Sequence, residues 1–84
     1  MRAPPWWHWD LELNPHVFTR MEERDFTEVE LRGMLSRTSR LARDAVPGRW
    51  QAFTRWRKER WIVILEPDPE DRVVVVITAF PVEQ

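Results

Sequence analysis

Apolar residues recur along this chain with two periods, and each change of period marks an element. From His8 to Leu13 they alternate, with Trp9, Leu11 and Leu13 on one side and Asp10 and Glu12 on the other. That predicts a half-buried strand ending at Asn14. Val17, Phe18 and Met21 then recur at helical spacing and predict a core-facing helix over roughly 15–24. Asn14 suits its cap, and Pro15 suits its first position, where the N–H that proline lacks would be unpaired anyway. Thr27 and Glu30 have the spacing of a capping box, and Phe26 is placed to close onto Leu31 as a hydrophobic staple. Leu31, Met34 and Leu35 carry the apolar face of a second helix over roughly 28–37. Gly33 either weakens it, by up to about 1 kcal/mol relative to Ala, or permits close approach by a neighbour.

Thr38 to Gly48 reads as a basic connection anchored by Leu41 and Val46 and stopped by Pro47-Gly48. Period two returns at Arg49–Arg57, where Trp50, Ala52, Thr54 and Trp56 oppose Gln51, Phe53, Arg55 and Arg57. Lys58-Glu59 is the expected hairpin connection, although neither residue favours the positive φ of a two-residue turn. Trp61–Glu66 and Arg72–Phe80 are nearly continuous apolar runs, as expected of interior strands, with the turn sequence PDPED between them and Pro81 closing the last. The order β-α-α-β-β-β predicts one α+β domain over residues 9–82. Its two N-terminal helices should cover one face of a twisted antiparallel sheet, with the last strand interior and the 49–57 strand near an edge. Residues 1–8 read as a loose Trp/Pro-rich leader. Trp6, Trp7 and Trp9 should not remain in water, so they either fold back or cover a partner's surface, a homodimer being one such arrangement.

Composition narrows the chemistry. The 84 residues suffice for one small domain, which buries only about 60% of its unfolded surface and so leans on its six Trp and four Phe. The absence of Cys excludes disulfides, thiolate metal sites and cysteine nucleophiles, and two lone His among scattered carboxylates make no metal motif; no cofactor is expected. No apolar run approaches the roughly 18 residues of a membrane span and no signal-peptide core is evident, so no membrane partner is expected and a cytoplasmic location is.

Charge is segregated. Residues 1–31 hold three Arg against seven acids; residues 32–60 hold eight Arg and one Lys against two acids, a block of +7 in a chain of net −1. Such a block is a candidate polyanion surface, although GC-rich coding also favours Arg. His16, Arg20 and Arg24 add a second cationic group, for at helical spacing they fall within roughly 80° beside the apolar stripe. An imidazole and two guanidiniums at the margin of a buried face suit an anion. They equally suit a structural role, with His16 at the helix start and the arginines paired to Glu23, Asp25 or Glu28.

The run His16, Arg20, Met21, Arg24, Phe26, Thr27 with Glu28-Val29, then Gly48-Arg49-Trp50 and the ending Val74–Phe80, resembles an uncharacterised bacterial family of small proteins grouped with RelE/ParE-like and BrnT-like toxins. The resemblance spans about residues 9–82. It implies the RelE-type fold, a toxin role that is most often RNA cleavage, and neutralisation by a small antitoxin encoded nearby. Metal-independent cleavage needs a base for the 2′-hydroxyl, an acid for the leaving 5′-oxygen and cations for the phosphorane. The candidates are His16 for proton transfer, Arg20 and Arg24 as a phosphate clamp, and Thr78 as a hydrogen-bond donor. Arg49, Arg55, Arg57 and Arg60 are candidate strand contacts, with Trp56 for base stacking or for plain core packing. The competing expectation is a non-enzymatic module that binds nucleic acid or an acidic protein.

Overall fold

A computed structural model describes residues 2–82. A single turn of 3-10 helix, Pro5–His8, precedes β1 (Asp10–Leu13), α1 (Pro15–Arg24), α2 (Glu28–Ser36), β2 (Arg40–Arg43), β3 (Trp50–Trp56), β4 (Glu59–Asp68) and β5 (Val73–Pro81). The strands form one sheet in the order β1-β5-β4-β3-β2.

The helices form where the pattern places them. The Asn14 side chain accepts the His16 N–H at 2.9 Å, and Asp25 ends α1 in the left-handed region. The capping box is closed in both directions, with Thr27 N–H donating to Glu30 at 3.0 Å and Glu30 N–H donating to Thr27 Oγ1 at 3.2 Å. Val17 is fully buried, whereas Phe18, expected to face the core beside it, is 52% exposed. One helical step of about 100° is enough to carry it past the buried stripe.

The strand order departs from expectation. It is β-α-α-β-β-β-β, because β2 forms inside the segment read as a connection. Four residues are too few for a period to register, and β2 is fixed by partners distant in sequence. Arg40 pairs with Phe53 and Arg43 with Trp50 across the β2–β3 ladder, each guanidinium lying over the opposite ring at 4.3 and 4.8 Å. The expected wholly antiparallel RelE-type sheet is also overturned, since β1 runs parallel to β5. β5 is interior as expected, and β3 lies near an edge as expected, with the short β2 outside it. The hairpin turns at Arg57-Lys58 rather than Lys58-Glu59. Both residues have positive φ, 50° and 66°, the geometry of a primed two-residue loop built without Asn or Gly.

One sheet face is covered by the helices. Ala52, Thr54 and Trp56 of β3, Trp61, Val63 and Leu65 of β4, and Val74, Val76 and Ala79 of β5 join Val17, Phe26, Leu31 and Met34 in the core. At its centre Phe26, Trp56 and Trp61 meet edge-to-face, with centroids 5.4–5.6 Å apart. The Thr54 hydroxyl, 4% exposed, donates to the Met34 carbonyl and ties the end of α2 to β3. The leader is folded back, with Trp6, Trp7 and Trp9 against the core and Trp6 5.6 Å from Trp50.

β5 carries an irregularity. Ile64 pairs with Thr78 and Leu65 with Val76, so Ile77 is an extra residue with no partner of its own. Val76 and Ala79 therefore both face the core, and Thr78 and Phe80 both face away.

Two outcomes follow from this geometry. Lys58→Gly removes the Cβ penalty of a left-handed residue and is expected to stabilise the domain by about 1 kcal/mol in urea unfolding. Asp44, in the β2–β3 connection, accepts from Gln51 Nε2 at 2.9 Å and from the Val46 N–H at 3.1 Å, and these bonds lower its pKa. A lowered carboxylate contributes stability above its ordinary value of about 3.9 and loses it as pH falls through the folded value. In an acid titration followed by NMR, the Val46 amide and Gln51 side-chain amide signals should move below the ordinary carboxylate range, and Asp44→Asn should abolish the transition.

Candidate nucleic-acid interface

The uncovered face of the sheet follows directly from the register. Cross-strand pairing sets Arg40, Phe53, Ile62 and Phe80 in one row and Ala42, Gln51, Ile64 and Thr78 in the next; Arg55 and Arg60 form a third. The floor is thus largely apolar and partly aromatic, with the guanidinium of Arg40 over the Phe53 ring and those of Arg55 and Arg60 at the β3–β4 hairpin end.

α1 supplies a rim. β1 ends at Leu13, beside Val76, so no strand flanks the last part of β5; α1 runs there instead. His16, Arg20 and Arg24, on one side of α1, line a wide shallow hollow of about 620 Å³ whose floor is Ile62, Thr78 and Phe80. All four residues nominated for catalysis, His16, Arg20, Arg24 and Thr78, border this one hollow. A second hollow of about 330 Å³ lies between Arg40, Phe53, Arg55 and Arg60, and Val82 borders both.

The cations differ in how they are held. Arg20 Nη1 is bonded to Glu23 at 3.1 Å, while its buried Nε–H has no acceptor among the described residues. His16 is exposed and makes no side-chain hydrogen bond among the described residues. Arg55 and Arg60 stand directly opposite each other and form no ion pair with any described carboxylate. Like charges facing across a ladder are destabilising, and a bound anion would offset that repulsion.

The other nominated residues lie elsewhere. Arg49 is at the far end of the sheet, bonded to Glu66 at 3.1 Å. Arg57 donates to the Asp25 carbonyl at 3.0 Å and lies over the Trp56 ring at 3.9 Å. Trp56 is 8% exposed and belongs to the aromatic core. The residues missed by sequence reasoning are Arg40, Phe53, Ile62 and Phe80. Their only signal is alternation, which acquires meaning once the strands are in register. Among the described residues, no group of three or more His, Cys, Asp or Glu is placed to hold a metal. Nor, among the described residues, is any helix long and apolar enough to cross a membrane.

No protein-family model, curated protein or solved structure matches the chain.

Arg60→Gln removes one of two facing charges and should raise stability by a few tenths of a kcal/mol at low salt, a gain that fades toward about 1 M salt as the charges are screened. Urea unfolding at the two salt concentrations measures it.

Proposed function

We propose that this protein binds single-stranded RNA across the open sheet face and cleaves it, without a metal, in the hollow beneath α1. The observation that carries this reading is the convergence of His16, Arg20, Arg24 and Thr78, from α1 and β5, on one concave surface next to Arg55 and Arg60, which form no ion pair among the described residues. Rings and aliphatic side chains on the floor suit stacked bases, and guanidiniums around it suit the phosphates between them. The motif resemblance to RelE/ParE-like and BrnT-like toxins supports the same reading. It adds a cytoplasmic location and a small antitoxin encoded nearby as partner.

In the proposed step the RNA 2′-oxygen bonds to the adjacent phosphorus while the bond from phosphorus to the 5′-oxygen breaks. The products are a 2′,3′-cyclic phosphate and a 5′-hydroxyl. The His16 imidazole takes the 2′-hydroxyl proton, water protonates the leaving 5′-oxygen, and the imidazolium returns its proton to the hydroxide left behind. Arg20 and Arg24 neutralise the charge that grows on the non-bridging oxygens, and the Thr78 hydroxyl donates to one of them.

A second reading has its own observation. Among the described residues the hollow is lined by one imidazole and no carboxylate, so none of them but His16 can transfer a proton there. That favours a non-enzymatic RNA-binding module with the same surface.

Single-stranded RNA incubated with the protein in EDTA separates the two. The nuclease reading predicts cleavage to cyclic-phosphate ends, falling at least about 100-fold in His16→Ala with binding retained. Cleavage at an unchanged rate in that variant removes His16 from the mechanism; binding without cleavage leaves the module. In anisotropy titrations, Arg55→Gln with Arg60→Gln should reduce the slope of log K against log salt by roughly 1.4. An unaltered slope removes the polyanion reading.

A further inference from the structure

The helix-covered side of the sheet contains a further cavity, remote from the open face. The 3-10 turn at Pro5–His8 lays Trp6 and Trp7 across a gap between α2 and the sheet, and Trp9 follows them. The gap beneath is a half-open cleft of about 200 Å³. Its inner wall is Leu35, Leu65 and Val74, all at most 8% exposed. A cavity of about 150 Å³ with such a lining holds a benzene ring, so this one has room for a ring and a small substituent.

α2 brings polar groups to the cavity. Arg32 and Ser36 lie one turn apart on α2 at its edge. The Ser36 hydroxyl is committed to the Gly33 carbonyl at 2.8 Å. Arg32 is only weakly held: among the described residues its side chain makes one ion pair, an exposed contact of 3.5 Å from Nε to Glu28, a kind worth at most a few tenths of a kcal/mol, and no hydrogen bond. A planar guanidinium with both terminal nitrogens available suits a carboxylate, held by two parallel hydrogen bonds. Indole walls suit an aromatic ring, through stacked or edge-on contact.

We propose that this cavity is a binding site for a single-ring aromatic carboxylate, with the ring between the leader tryptophans and the Leu35–Leu65–Val74 wall and the carboxylate on Arg32. The site is separate from the RNA reading and stands or falls without it. Its walls hold three tryptophans, so occupancy reports through their fluorescence and through indole N–H signals in NMR.

The test titrates the full chain with phenylacetate and with its neutral isostere phenylacetamide. Saturable binding of phenylacetate that perturbs Trp6, Trp7 and Trp9 is expected, with the amide at least about tenfold weaker. Arg32→Gln, an exposed substitution that leaves the fold intact, should weaken the acid by a similar factor and erase the preference. Absence of saturable binding by the acid overturns the site. Equal affinity for acid and amide, or an Arg32→Gln protein that binds the acid unchanged, overturns the carboxylate assignment. A dimer in light scattering that is lost in Trp7→Ala and excludes phenylacetate overturns the small-molecule reading, because the cavity then receives a second copy of the chain.

Discussion

The arrangement rests on a short parallel pairing. β1 joins β5 over four residues, Asp10–Val73 to Leu13–Val76, and the Asn14 N–H makes one more bond to the Val76 carbonyl at 3.1 Å. At that point Asn14 and Pro15 turn the chain into a helix. β5 continues for five more residues with no strand beside it on that side, and α1 takes the vacant place. A longer β1 would have sealed this edge with backbone hydrogen bonds. Because it stops, a helix bearing His16, Arg20 and Arg24 borders the outer face of the sheet and makes it concave.

The irregularity at Ile77 completes the hollow. Strand side chains alternate, so an unbroken β5 that buried Val76 would also bury Thr78 and would turn Ala79 outward. One extra residue reverses the assignment. Ala79, fully buried, sits opposite Val63, and Thr78 and Phe80 reach the open side. A hydroxyl and a ring are thereby delivered to the surface that α1 overlooks. The same device keeps the covered face apolar, so packing and exposure of the site come from one local adjustment.

Local stability is given up at two places. Arg55 and Arg60 face each other without a described partner, and Arg57 and Lys58 hold left-handed conformations that Asn and Gly adopt at lower cost. Both features occur in the β3–β4 hairpin, at the end of the sheet where its cations gather. The aromatic trio of Phe26, Trp56 and Trp61 lies behind it and supplies the buried mass that tolerates this strain. The tryptophans of the leader serve the opposite corner, where they cover the sheet only in part and leave a cavity.

The sequence by itself determined whatever depends on neighbours a few residues apart: both helices with their caps, the corner between them, the long strands, and the shared side of His16, Arg20 and Arg24. Those features follow from side-chain spacing and from caps that form within one turn. Contact between distant segments decided the rest. β2 is a strand only because Phe53 and Trp50 lie under its arginines, and Trp56 is core because Phe26 folds onto it. Thr78 and His16 border one hollow because β1 stops short and β5 gains a residue. Periodicity carries no record of register, and a surface shared by a helix and three strands exists only once register is set.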